Sequence, residues 1–307
     1  MKYKVIIFIF LLFCLHCFSY WEWTPKTGKW INPKYAVKDT PKEQFEWAEQ
    51  LRKGGKIEGA ILEHEKLLKH YSNSEYAPSS CFILGEMYQA KGDNKKAFDY
   101  YQKIVDRYPA SQFLIEAIER QAKIAEEEIK KGSGWLFFKE RKKEERGEML
   151  ATVIENHPYA EDSAKRAIEL GKFYIETKQY KKAKDVFSDI TMKYTSPPIL
   201  EEAYFYLIKT EFLSIPDVST DIKQYAVVKK RIETFLILYK ESRYRDEVIK
   251  IRNRIMENEA KKYFDIASFY ERSGKSNSAR YYYKILAENY PETSYGKDAS
   301  KKLRSNN

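Results

Sequence analysis

Apolar residues recur every three or four positions through most of the chain, which is the period of a helix buried on one face. The period is clearest between residues 84 and 109, where Gly92 and Asp93 divide two helical stretches. Seven residues set the pattern: Leu84, Gly85, Tyr88, Ala97, Tyr101, Ile104 and Pro109. The small side chains allow two helices to approach closely, and the aromatic rings fill the space toward the next pair. We therefore predict a helical hairpin that ends at Pro109, because proline cannot continue a helix.

The hairpin pattern returns along the chain. Ala60 and Ala97 hold equivalent positions 37 residues apart. This is close to the ~34-residue period of the tetratricopeptide repeat (TPR), whose Leu-Gly-x2-Tyr and Ala-x3-aromatic spacing the hairpin resembles. Further copies contain Ala48 and Leu67, Gly171 and Phe187, Ala203 with the stretch Val227–Tyr239, and Ala267 and Tyr283. The predicted fold is all-α: a TPR-type right-handed α-solenoid of about six helical hairpins over residues 42–307, closed by a short helix from Ser294 to Leu303.

The third copy is interrupted. Its first helix is predicted from Ser111 to about Lys131 and its second around Leu150 and Val153, so residues 132–142 form an insert. The insert carries four consecutive apolar residues, Trp135, Leu136, Phe137 and Phe138. Inserts in repeat proteins emerge at turns, often on the binding face, so we expect these residues to contact a partner or lipid. The alternative is that they fold back onto the repeat.

Residues 1–19 predict a signal peptide. Lys2 and Lys4 precede an apolar run from Val5 to Leu15, which is short for a membrane span and typical of a signal sequence. We expect export and cleavage after Ser19. Lipidation of Cys17 is the alternative, and an uncleaved anchor is the third.

Residues 20–41 predict an extended arm, because three Trp, three Pro and one Gly in this stretch oppose a long helix. We expect its aromatic side chains to lie against the first helices. The alternative is a docking strand for a partner.

Charge and cysteine content add little to this picture. The 55 basic and 45 acidic residues are mostly interleaved, which is typical of solvated helix faces, and the net charge of +10 only weakly favours an acidic partner. Cys81 is the only cysteine beyond the predicted signal peptide, and we expect it to be a small core residue.

The sequence does not indicate an enzyme. It contains no Gly-rich phosphate loop, HExxH or GxSxG motif, and consecutive carboxylates such as Glu126–Glu128 point in different directions on a helix. We therefore expect no catalytic residues, no cofactor and no metal site. Basic stretches at Lys229–Arg231 and Arg243–Arg254 raise nucleic-acid binding as a class, but export and interleaved acidic residues argue against it.

Two local sequences carry a resemblance to a known family. Residues 70–78 read HYSNSEYAP and residues 107–111 read RYPAS. Together with the signal sequence and the aromatic arm, they resemble the BamD family, the repeat-bearing lipoprotein of the outer-membrane β-barrel assembly machinery. The resemblance implies a periplasmic scaffold, peripheral to the outer membrane or lipid-anchored, that docks assembly subunits and receives unfolded outer-membrane proteins. Other exported TPR proteins share these motifs, so a periplasmic TPR adaptor in cell-envelope division or in another envelope complex is the alternative. A sixth hairpin, and His16 where a small residue should precede a lipidated Cys17, depart from the family's pattern.

The repeat register predicts a peptide-binding groove on the first helices of hairpins one and two. It places eight residues on that face: Lys42, Phe45, Glu49, Arg52, Ser79, Phe82, Glu86 and Gln89. The mixture suits an extended peptide that has an aromatic residue and a free carboxylate, which is the form of a barrel protein's C-terminus. Arg52 or Lys42 would pair with the carboxylate, and Phe45 and Phe82 would flank the ring. The alternative is that these residues only pack against the N-terminal arm.

Overall fold

The computed structural model describes residues 22–24, 29–32, 36–131, 140–160, 162–216 and 223–305. These residues form thirteen α-helices and one two-stranded antiparallel hairpin, which confirms the all-α prediction. The strands are β1 (Glu22–Thr24) and β2 (Lys29–Ile31). The helices are α1 (Pro41–Lys53), α2 (Ile57–His70), α3 (Ala77–Ala90), α4 (Asn94–Arg107), α5 (Leu114–Lys130), α6 (Glu140–Asn156), α7 (Ser163–Glu176), α8 (Tyr180–Lys193), α9 (Pro197–Ser214), α10 (Lys223–Leu238), α11 (Arg245–Arg272), α12 (Ser276–Asn289) and α13 (Ser294–Ser305).

The chain forms two compact units, residues 1–124 and 125–307, with the boundary inside α5. In the first unit, α1 packs on α2 and α3 packs on α4. In the second, the pairs are α7 with α8, α9 with α10, and α11 with α12. The predicted continuity of one array over residues 42–307 stays a prediction.

Four of the helical hairpins turn in the same way. One residue at each turn has a left-handed backbone: Gly55, Gly92, Lys178 or Gly274, with φ between 59° and 76°. The next residue donates its backbone N–H to a carbonyl five residues back, as Asp93 does to Tyr88 at 2.9 Å. This pattern satisfies carbonyl groups at the end of the first helix and fixes where the second helix begins.

Close approach of a small residue and a ring holds the hairpins together. A Cβ atom built on Gly85 would lie 2.5 Å from the ring of Tyr101, and one on Gly171 would lie 2.3 Å from the ring of Phe187. Tyr101 and Phe187 are both fully buried. The structure therefore confirms the prediction that a small residue of the first helix packs against an aromatic ring of the second.

Two helix boundaries differ from the sequence-based prediction. Helix α6 begins at Glu140, well before Leu150, because residues 140–149 consist mostly of Glu, Arg and Lys, which are strong helix formers. Helix α11 runs for 28 residues, whereas the sequence located its sixth-copy pattern only near Ala267. Its first half packs in one cluster with Phe205 and Ile232, and its second half packs with Tyr283 and Leu286.

Residues 22–24 and 29–31 of the arm form strands, and the two tryptophans on these strands are exposed. Trp23 pairs with Trp30 across the β1–β2 hairpin, and the two side chains are 52% and 65% exposed. The expectation that the aromatic side chains of the arm are buried is therefore wrong for these two residues, since a two-stranded hairpin has no second layer to cover them. The predicted signal peptide and the apolar insert residues Trp135–Phe138 lie outside the described residues. In the part of the chain that the structure describes, no helix is both long enough and apolar enough to cross a bilayer.

Candidate functional site

The predicted groove residues lie on α1 and α3 of the first unit, and two of them form a tight ion pair. Nε and Nη2 of Arg52 donate to the two carboxylate oxygens of Glu49 at 2.7 and 2.6 Å. This hydrogen-bonded pair lowers the pKa of Glu49 and raises that of Arg52. The side chain of Arg52 is 39% exposed and that of Glu49 only 15%. The guanidinium of Arg52 is therefore partly exposed to solvent, and its two hydrogen bonds to the more buried Glu49 fix its orientation.

Glu49 also contacts a buried histidine. Its Oε1 lies 3.4 Å from Nε2 of His64, whose side chain is fully buried, and Nδ1 of His64 lies 3.1 Å from the hydroxyl of Ser80. Burial lowers the pKa of His64 to about 4, although the charge of Glu49 opposes the shift. His64 is therefore neutral at physiological pH and supports the groove as a packed ring.

A second ion pair follows on α3 and α5. Nη2 of Arg120 donates to Glu86 at 3.3 Å and to Glu116 at 3.1 Å. Glu86 also contributes to the raised pKa of Arg52. The charges across α1, α3 and α5 therefore alternate, with Arg52 and Arg120 on either side of Glu86. Arg120 was missed from the sequence, although it lies 34 residues after Glu86, one repeat further on.

The two predicted aromatic walls have different environments. Phe45 is half-buried, with its ring 5.6 Å from that of His64 and 5.2 Å from that of Tyr76. Phe82 is only 6% exposed, because its ring stacks on Phe113 at 4.9 Å and leans on Tyr101. Phe82 is thus part of the floor, and the expectation that it flanks a ligand ring as an open wall is corrected. Phe45 remains as the accessible aromatic residue of the pair.

The remaining predicted residues lie around this centre. Lys42 is on the open surface, 67% exposed and 3.9 Å from Glu46. Gln89 accepts a hydrogen bond from the hydroxyl of Tyr101 at 3.3 Å, and Ser79 is half-buried on α3. Lys42 is therefore the most accessible of the eight residues for an anionic ligand.

The end of the N-terminal arm is fastened beside this face. The backbone N–H of Lys38 donates to Oε1 of Gln44 at 2.8 Å, and the hydroxyl of Tyr71 donates to the carbonyl of Lys38 at 2.6 Å. Gln44 is fully buried and donates in turn to the carboxylate of Glu63 at 2.7 Å. The arm thus packs through Gln44 and Tyr71, which the register did not select. Gln44 could have been found from the sequence, because it is a polar residue at a helix position that faces inward.

The basic stretch considered for nucleic acid is engaged within the protein. Lys229 donates to the buried carboxylate of Glu259 at 2.7 Å, and Arg231 lies 2.8 Å from the buried carboxylate of Glu211. These pairs neutralise two of the three cations of residues 229–231. Among the described residues, no group of three or more His, Cys, Asp or Glu side chains is arranged to hold a metal ion.

Comparisons with known proteins agree with this architecture. A family model described as outer membrane lipoprotein (YfiO) matches residues 139–307, more than half of the chain, and a tetratricopeptide repeat model matches residues 82–111. A comparison with curated proteins finds no match.

Solved structures are also similar to the chain, two of them described as TPR proteins. The C-terminal part of a TPR protein from Cytophaga hutchinsonii is 17% identical, with 85% of this chain and 88% of that chain covered and a TM-score of 0.32. A TPR protein from Parabacteroides merdae is 14% identical, with coverages of 86% and 96% and a TM-score of 0.29. The MamA protein of Desulfovibrio magneticus is 15% identical, with coverages of 68% and 99% and a TM-score of 0.28.

The repeat match falls on the second hairpin, where the small and aromatic positions interlock, and confirms the TPR class. The longer match confirms the resemblance drawn from the sequence. The chain belongs to the YfiO family of outer membrane lipoproteins, which is the BamD family.

Proposed function

We propose that this protein is a non-catalytic scaffold of the periplasm, peripheral to the outer membrane, that binds unfolded outer-membrane proteins and partner subunits during β-barrel assembly. Membership of the outer membrane lipoprotein family supports the compartment, and TPR hairpins support protein–protein binding. The observation that carries the proposal is the exposed guanidinium of Arg52, held by Glu49 beside the half-buried ring of Phe45.

The occupant of the groove is an extended peptide with an aromatic side chain and a C-terminal carboxylate. The pair with Glu49 uses Nε and Nη2 of Arg52, so Nη1 is left to point toward a second acceptor. Lys42, on the same helix, supplies another cation on the open surface. Phe45 offers one face for the aromatic side chain, while Phe82 supports the groove from beneath.

A peptide titration tests the groove. The labelled probe is a peptide that ends in Phe, prepared as the free acid and as the amide, and it is titrated against the full chain. Phe45→Ala and Arg52→Gln should each weaken binding of the free acid by about fivefold to a hundredfold, equivalent to about 1–3 kcal/mol of lost contact. The amide should bind the wild-type chain as weakly as the free acid binds Arg52→Gln.

The matched control is Lys53→Gln, which removes one positive charge from an exposed position next to Arg52. It should bind the free acid as the wild type does. Equal affinity of wild type and Phe45→Ala, or equal affinity for acid and amide, would rule out the groove.

A further inference from the structure

A cavity of about 280 Å³ lies in the first unit, between α2, α3 and α4. Leu68 and the buried thiol of Cys81 contribute apolar surface to its wall, and Tyr100 contributes a ring. Lys69, Lys103 and Arg107 line it with three cationic groups. None of the eight residues assigned to the peptide groove lines this cavity.

The three cations have no carboxylate partner within the described residues, unlike most lysines around them. The one acidic residue of the lining, Glu65, is occupied, because the hydroxyls of Tyr88 and Tyr100 donate to it at 2.9 and 2.8 Å. Lys103 lies over the ring of Tyr100 at 4.0 Å, so its cation contacts an aromatic residue of the same lining rather than a carboxylate. With Glu65 counted against the three cations, the lining carries a net charge of +2.

The repeat itself does not require these cations. Lys103 and Arg107 are four residues apart on α4, so they repel each other across one helical turn. The equivalent positions on α8, 86 residues later, hold Asp189 and Lys193, which form an ion pair at 2.7 Å. The equivalent positions on α12 hold Ile285 and Asn289. Compared with these two copies, the second hairpin keeps two like charges where α8 has a favourable pair and α12 has no charge.

We propose that this cavity binds a phosphate group. Two lysines and an arginine around one cavity match a compact dianion, since Arg offers a planar fork of donors and Lys a point charge. The cavity exceeds a bare phosphate in size, so the atoms that carry the phosphate fit against Leu68 and Cys81. The phosphate comes from a lipid headgroup or from a free phosphate, and the experiment separates these two sources.

The decisive variant is Lys103→Asp, which copies the arrangement of Asp189 and Lys193 on α8. It removes a cation from the cavity and the contact of Lys103 with Tyr100, and it gives Arg107 a carboxylate partner one turn away, so the folded chain should have a stability close to that of the wild type. A second variant, Arg107→Gln, removes the other cation of α4. The matched control is Lys181→Asp, which makes the same change of charge at an exposed position of α8.

The full chain and these variants are titrated calorimetrically with sodium phosphate, and with sodium acetate at the same ionic strength. They are then floated with phosphatidylcholine vesicles prepared with and without phosphatidic acid. The wild type and Lys181→Asp should bind phosphate, and Lys103→Asp should bind it at least about tenfold more weakly while urea unfolding shows its fold intact. Binding to phosphatidic acid vesicles that depends on Lys103 identifies the lipid source, and binding to phosphate without vesicle binding identifies the free anion.

Three results would overturn the proposal. Lys103→Asp and Arg107→Gln could bind phosphate as tightly as the wild type does. Acetate could bind as tightly as phosphate, which would make the cavity a general anion site without preference for phosphate. The control Lys181→Asp could lose as much affinity as Lys103→Asp, which would reduce the effect to net charge. None of these variants changes a residue of the peptide groove. The phosphate site can therefore be disproved without any consequence for the proposed peptide binding.

Discussion

The second hairpin (α3–α4) and the fourth hairpin (α7–α8) are built on one packing plan but present different surfaces. The plan repeats 86 residues apart: Gly85 and Gly171 each meet a ring, that of Tyr101 or Phe187. Tyr108 and Tyr194 each donate a hydroxyl hydrogen bond to a backbone carbonyl 36 residues earlier, at 2.7 and 3.0 Å. Both hairpins thus have a glycine, an aromatic ring and a hydrogen-bonded tyrosine hydroxyl at equivalent positions.

The outward positions of the two hairpins differ in charge. Glu86 pairs with Arg120, while its equivalent Lys172 pairs with Glu202 at 2.8 Å. Lys103 has a cation next to it on α4, while its equivalent Asp189 has a cationic partner on α8. Packing fixes the inward positions because only a small residue fits against a ring. The outward positions are free of that requirement, and we expect the functional differences between hairpins there.

The largest expected effect comes from breaking the shared packing plan. Gly85→Ala and Gly171→Ala should each lower the free energy of unfolding by about 3 kcal/mol, because the added methyl group would overlap a buried ring and force it to move. Urea unfolding followed by circular dichroism measures the change.

Gly59→Ala is the matched control for that experiment. Its Cβ would meet only the side chain of Leu51 at 3.5 Å, so the better helix propensity of alanine should raise stability by about 0.5–1 kcal/mol. If Gly85→Ala were as stable as Gly59→Ala, the close approach of α3 and Tyr101 would be disproved.

An intermediate effect is expected where the first hairpin departs from the plan. His64 lies 37 residues before Tyr101 and holds the ring position with a group that titrates. Because its pKa falls from 6.5 to about 4 on folding, the unfolded chain binds the extra proton first as pH falls below 6.5. Stability should therefore be lost between pH 6.5 and 4, by about 2 kcal/mol from pH 7 to pH 5.

Hydrogen exchange measured by mass spectrometry at pH 7 and pH 5 locates this loss. After correction for the intrinsic exchange rates, protection of α1 and α2 should fall more than protection of α7 and α8. Replacing the exposed His70 by Gln should leave that difference intact, whereas His64→Asn should abolish it. Equal loss of protection in both hairpins would contradict the role of His64.

The smallest expected effect concerns the turns. Lys178 adopts the left-handed backbone, φ 59°, that Gly92 supplies in the second hairpin. Lys178→Gly should raise the free energy of unfolding by about 1 kcal/mol, because a Cβ atom is unfavourable in that conformation. Thermal unfolding measures the shift, and Lys178→Ala, which keeps the Cβ, should show no gain. A gain from Lys178→Ala equal to that from Lys178→Gly would assign the effect to the lysine side chain.

Much of the fold could be predicted from the sequence because its main signals are local. The turn at Gly92, the small position at Gly85 and the ring of Tyr101 lie within one hairpin, so spacing alone identifies them. The sequence does not reveal where α6 begins. The first half of this helix consists mostly of charged residues, so it has no period of apolar residues to detect.

The candidate sites were predictable only in part, since they depend on contacts between hairpins. The register placed Arg52 and Glu49 on one face, and the structure shows that they form an ion pair. It could not show that Phe113, from the next helix, covers Phe82, or that Arg120 reaches back to Glu86. Nor could it show that Lys69, Lys103 and Arg107 converge on one cavity, because they come from two helices.

The unbroken 28 residues of α11 have a consequence for how this part of the chain can change in evolution. Val248 and Ile255 belong to one core, and Ala260 and Ala267 belong to the next, on the same helix. Inserting or deleting one residue between Ile255 and Ala260 would rotate one half against the other by about 100°, since a helix has 3.6 residues per turn. One of the two cores would then lose its apolar face to solvent. We therefore expect homologous chains to vary in length at the turns on either side of α11 and to keep its residue count unchanged.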